Sequence, residues 1–225
     1  MITKHNSPLM LIEKNSLIKQ FKLFKKYLPD VEPFFAVKAN CQPEIIKTFA
    51  KLGANFDVAS GEEIKTVLKA GVKPDKLMLA NTVKSQKCIE TAKAKKVPIM
   101  TFDNASELEK IKKYYPNANL ILRLKVANIG SIIELSLKFG AEPEDAIKLL
   151  RKAKNMGLNV AGLSFHVGSQ CTNIDNYLQA LEVSSNIFYE AEKKGIKLKI
   201  LDIGGGFPIR HFSHENVPDF KSMAT

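Results

Sequence analysis

The 225-residue chain predicts an α/β fold on a parallel sheet, of the (β/α)8 barrel kind but incomplete, with about seven strand–helix units. Three observations carry that expectation. Short β-branched and apolar runs alternate with amphipathic stretches, an order that requires parallel strands joined by crossover helices. The first five runs recur about every 21 residues, the repeat of a barrel unit. Lysine, histidine and glycine groups follow directly on apolar runs, where barrel and open-sheet enzymes place their chemistry.

In chain order, residues 8–13 (PLMLIE) read as a leading strand and about 16–28 as a helix. Seven strand runs then fall near 33–38, 56–59, 77–80, 98–102, 119–124, 160–167 and 198–203. The stretches 44–52, 62–69, 86–95, 107–114, 144–156 and 176–194 have helical amphipathicity. Asn104 or Ser106 is suited to cap the helix that begins near Glu107. An eighth strand, needed to close a barrel, is not found.

Composition suits a soluble enzyme: 45% hydrophobic residues are enough for a substantial core. The net charge of +11 comes from lysines dispersed over helix-like stretches (Lys84, Lys87, Lys93, Lys95, Lys96, Lys110, Lys112, Lys113). No aromatics interleave with them, so they are expected on solvated faces rather than against nucleic acid or a membrane. Cys41, Cys88 and Cys171 fall in no metal or redox spacing, and no apolar run reaches membrane-spanning length, so a cytoplasmic location is expected. His211 and His214 lack a third ligand nearby, so no metal site is expected.

Three strings carry the chemistry. Lys38, in PFFAVKAN, ends an apolar strand run. Burial there would favour the neutral amine, the nucleophile with which an aldehyde cofactor condenses. In LSFHVGSQ, His166 and Ser169 stand just past a strand, and in LDIGGGFP three glycines, Gly204, Gly205 and Gly206, leave backbone N–H groups free to converge on a phosphate. Together the three describe a site for pyridoxal 5'-phosphate.

AVKAN, FDVASGEE, TFDNASEL, LSLKFGA, SFHVGSQ and LDIGGGFP, in this order, resemble the PLP-dependent basic amino acid decarboxylases of alanine-racemase fold. The resemblance runs from about Pro8 to about Pro208. It implies Lys38 as the covalent anchor of the cofactor and His166 stacked on its ring. It also implies Ser169 and Gly204 to Gly206 on its phosphate, and Asp57, Glu62 and Arg123 close by. Lys138 and Asp103 are implied in a homodimer interface. The implied reaction is decarboxylation of a basic amino acid in polyamine synthesis, with ornithine the first candidate and lysine, arginine or diaminopimelate the alternatives. A catalytically silent, partner-binding homologue is another reading. The resemblance implies a domain pattern in which residues 1–14 give a strand to a β domain and 15–225 form an incomplete barrel. On that reading the C-terminal β domain, the proton-donating cysteine and the substrate-reading acid lie outside this chain, which by itself is expected to be aggregation-prone and inactive. Cys171 reads as an ordinary buried thiol.

Overall fold

In the computed structural model, residues 8–133, 138–212 and 216–224 are described. Seven strands form one sheet: β1 (Phe34–Ala36), β2 (Asn55–Val58), β3 (Leu77–Leu79), β4 (Ile99–Phe102), β5 (Asn119–Arg123), β6 (Asn159–Ser164) and β7 (Ile200–Asp202). They pair in sequence order, all parallel, and among the described residues β1 and β7 are edges that do not meet. The sheet is therefore a curled part-barrel rather than a closed ring.

Helices α1 (Lys14–Tyr27), α2 (Pro43–Lys51), α3 (Gly61–Lys69), α4 (Gln86–Ala94), α5 (Ala105–Tyr114), α6 (Pro143–Asn155) and α7 (Asp175–Lys193) alternate with the strands, and α8 (Phe220–Ala224) follows them. Their starts follow local chemistry. Ser60, Ser85 and Asn104 accept from the backbone N–H groups of Glu63, Cys88 and Glu107, and prolines open α2 and α6, where a missing N–H costs nothing.

Strand alternation sorts side chains into two layers. Phe56, Val58, Leu77, Leu79, Met100, Phe102, Leu120, Leu122 and Leu163 pack with the helices in the main core. The opposite parity brings Asp57, Met78, Thr101, Arg123, Ser164 and Asp202 to a common cavity. An aromatic cluster joins α1 to the chain's later elements: Phe24 and Phe220 stack at 5.5 Å, Phe207 meets Phe220 edge-on at 5.2 Å, and Tyr177 stacks on Phe207 at 5.3 Å.

Among the described residues, 8–13 pair with no strand, and Met10 and Leu11 are largely exposed. One expectation needs correction. The lysines expected on solvated faces are there except Lys84, whose side chain is fully buried against Glu107, and Lys110, which is half-buried against the same carboxylate. Among the described residues, no helix is long and apolar enough to cross a membrane.

Candidate active site

The cavity at the C-terminal ends of the strands holds about 340 Å³, within the range of small-molecule sites. Lys38, Asp57, Arg123, His166, Gly204, Gly205 and Gly206 all line it, although they come from four strands or strand ends and the loop after a fifth. Lys38 lies beyond the strand rather than at its end: β1 ends at Ala36, and residues 37–39 form a 3-10 turn that leaves Lys38 exposed at the cavity rather than buried in the sheet.

His166 follows β6. Its Nδ1 accepts the Gly168 N–H at 3.0 Å, which leaves the proton of the neutral ring on Nε2. Burial, with Arg123 and Lys38 nearby, pushes its pKa down to about 4, so the ring is neutral at physiological pH. Burial acts on Asp57 in the other direction, raising it to about 6 against the opposing pull of Lys38, with Asp202 and Glu63 adding to the rise. Arg123 ends β5 and lies over the Phe139 ring at 5.2 Å; burial lowers its pKa, while Asp202, Asp103 and Asp57 counter that shift.

The glycines are required by close approach. A Cβ on Gly204 would lie 2.3 Å from the Phe165 carbonyl oxygen, and one on Gly206 would lie 1.9 Å from that of Gly168. Both have positive φ, +68° and +95°. The loop is anchored from three sides: Asp202 Oδ1 accepts the Gly204 N–H at 2.8 Å, the Tyr177 hydroxyl donates to the Gly205 carbonyl at 2.9 Å, and the Cys171 N–H donates to the Gly206 carbonyl at 2.8 Å.

Glu62 and Ser169 are not brought into the cavity. Glu62 lies on the solvent face of α3, 2.7 Å from Lys65 Nζ. Its neighbour Glu63 lines the cavity instead, and its Oε2 accepts the Ala59 N–H at 2.8 Å. Adjacent helical residues point about 100° apart, and Glu63 occupies the third position after the Ser60 cap, from which a glutamate reaches back over the helix start. The Ser-Gly-Glu-Glu spacing was the signal that could have found it. Ser169 is absent from the cavity lining, its backbone being paired with Ile133. Asp103 accepts the Gly140 N–H at 3.1 Å within this chain, and Lys138 is exposed. Cys171 is buried, its sulfur receiving the Asn176 amide at 3.2 Å. His211 contacts Gln170, while His214 lies outside the described residues.

Sequence reasoning also missed Asp202, Asn81, Thr101 and Ser164, all cavity-lining. The hydroxyls of Thr101 and Ser164 are buried with no hydrogen-bond partner among the described residues, which leaves them available to a ligand or water. Ser164 stands in register between Arg123 and Asp202 on neighbouring strands. Strand parity could have found Thr101, Ser164 and Asp202; Asn81 lies in the loop after β3.

The two buried titrations oppose each other in the cofactor-free protein. The His166 ring takes its proton near 6.5 when unfolded but near 4 when folded, so stability is lost as pH falls through that window. Asp57 takes its proton near 3.8 unfolded and near 6 folded, so stability is gained as pH falls there. His166→Gln should therefore lose less stability than the parent between pH 7 and pH 5, by about 1–2 kcal/mol. Urea unfolding at the two pH values measures it, and parallel losses would contradict the shift assigned to His166.

The family model described as "Pyridoxal-dependent decarboxylase, pyridoxal binding domain" matches residues 14–225. The chain is 42% identical to an ornithine decarboxylase of Caenorhabditis elegans over 208 residues, 92% of this chain and 49% of that protein. It is 40% identical to antizyme inhibitor 2 of Xenopus laevis over 206 residues, 92% of this chain and 45% of that protein. The solved structure of SrLDC in complex with PLP and cadaverine superposes with a TM-score of 0.92 at 36% identity, covering 99% of this chain and 56% of that one. The chain thus spans about half the length of the curated relatives it matches.

Proposed function

Since this chain belongs to the pyridoxal-dependent decarboxylases and carries their pyridoxal-binding domain, we propose that it forms the cofactor half of an enzyme that decarboxylates a basic amino acid, ornithine first among the candidates. The observation that carries the proposal is the meeting of Lys38, His166, Arg123 and the Gly204–Gly206 loop in one cavity. The residues fit pyridoxal phosphate. The glycine loop brings backbone to the cavity wall with no side chain in the way, a basic amine stands free at the rim, and the two orphan hydroxyls await a polar partner.

When bound, the cofactor supplies an aldehyde for covalent attachment and a ring that accepts the electron pair left behind by departing CO2. In this reading the Lys38 amine would hold the cofactor, and because Lys38 lies on an exposed turn its side chain can move without displacing a core residue. Asp57, with its pKa near 6, is mostly ionised at neutral pH and lines the same cavity as Lys38. His166, held by the Gly168 N–H, presents a neutral flat face beside the glycine loop. Amides of Gly205 and Gly206 bind the phosphate, while the Gly204 N–H is taken by Asp202 and Ser169 stays outside the cavity lining. Asp202, by accepting the Gly204 N–H, sets the loop; burial raises its pKa, against the pull of that hydrogen bond and of Arg123.

A cytoplasmic homodimer is part of the proposal. Three cysteines with no disulfide suit a reducing compartment, and Lys138 and Asp103 are the candidate interface residues. A silent partner-binding role is the second reading, favoured by the 40% identity to antizyme inhibitor 2. Incubating the full-length protein and PLP with carboxyl-labelled ornithine, lysine or arginine separates the readings. Labelled CO2 with putrescine from ornithine is expected; cadaverine or agmatine alone would reassign the substrate, and no CO2 from any of the three would favour the silent homologue.

A further inference from the structure

The pairing of β3 with β4 covers only two residue pairs, Met78 with Ile99 and Leu79 with Met100, whereas the other neighbouring strands pair over three to five. Where that ladder stops, the buried Lys84 takes over. Its Nζ donates to the carbonyls of Asn81 (2.9 Å) and Thr82 (3.3 Å) on the β3 side and to that of Thr101 (2.6 Å) on the β4 side. The charge is balanced by Glu107 on α5, whose Oε1 lies 2.9 Å away and whose Oε2 lies 2.6 Å from Lys110; Lys110 in turn donates to the Lys84 carbonyl at 2.6 Å.

A buried ion pair of this kind is seldom the most stable filling for its space, since an apolar pair avoids the desolvation. What an apolar pair would not supply is the bridge between three carbonyls. Two of the bridged residues, Asn81 and Thr101, line the active-site cavity. Asn81 also reaches β2, its Nδ2 donating to the Ala59 carbonyl at 3.3 Å, and the Ala59 N–H is the group that holds Glu63.

Resting on the cofactor site proposed above, we propose that Lys84 is a positioning residue for it. Its ammonium clasps the cavity ends of β3 and β4 where their ladder stops, and through Asn81 and Ala59 it fixes the side of the cavity that carries Glu63, Asn81 and Thr101. Lys84 touches neither cofactor nor substrate in this account; it keeps the wall in the geometry that binds them.

The test separates wall geometry from simple stability. In the full-length protein, Lys84→Met should lower the melting temperature and weaken PLP binding, titrated by the cofactor's absorbance, by about ten- to hundredfold. Adding Glu107→Leu removes the stranded carboxylate and should restore the melting temperature while leaving PLP binding weak. Glu107→Gln keeps volume and the three carbonyl contacts; it should lower the melting temperature with PLP affinity unchanged within about twofold. PLP affinity that recovers with stability in the double variant, or falls with it in Glu107→Gln, would overturn the proposal. Amide hydrogen exchange without PLP supplies a cofactor-independent readout. Faster exchange confined to residues 77–85 and 99–103 in the double variant supports the clasp, and unchanged exchange there refutes it. A parent protein that binds no PLP at all would instead sink the cofactor reading.

Discussion

Lys38→Ala is expected to reduce amino acid decarboxylation by the full-length protein by on the order of a thousandfold or more, because no other side chain can take over an amine positioned at this cavity wall. Stability should barely change. Lys38 lies on an exposed turn after β1, and exposed substitutions outside special contacts stay within about 0.5 kcal/mol. Labelled-CO2 release and urea unfolding of the same preparations give both numbers. A variant that retains a tenth of the parent's rate would remove Lys38 from the chemistry; one that fails to fold would show it to be structural.

Gly206→Ala should have the second-largest effect, and for a different reason. The added methyl would stand 1.9 Å from the Gly168 carbonyl oxygen, with φ at +95°, where side chains are strained by about 1–3 kcal/mol before any clash is counted. The loop cannot simply back away, since the Gly206 carbonyl accepts the Cys171 N–H and the Gly205 carbonyl accepts the Tyr177 hydroxyl. PLP affinity should fall by roughly ten- to hundredfold. Gly205→Ala is the matched comparison: its φ is not positive, and its Cβ would meet only His166 Nε2, at 3.8 Å. Equal losses in the two variants would show that the phosphate does not depend on the tight geometry of Gly206.

The strands were legible as short apolar runs and the helices as amphipathic stretches between them, with serine, asparagine and proline marking the starts of α2 to α6. The leading PLMLIE has a strand's pattern, but a pattern supplies only half of each hydrogen bond, and among the described residues nothing pairs with it. Lys38, His166 and the glycines were legible as residue types following apolar runs. Glu63 was lost to its neighbour because both glutamates satisfy the same string and only the phase of α3 tells them apart. Lys84 looked like one more surface lysine; its burial depends on Glu107, 23 positions further on, and on three carbonyls that no residue-type pattern announces.

Borohydride reduction of the PLP-treated full-length protein, followed by peptide mapping, tests the central claim most directly. The cofactor should become fixed on the single peptide that contains Lys38, with the label lost in Lys38→Ala. A label on any other lysine, or none at all after treatment with PLP, would contradict the site described here.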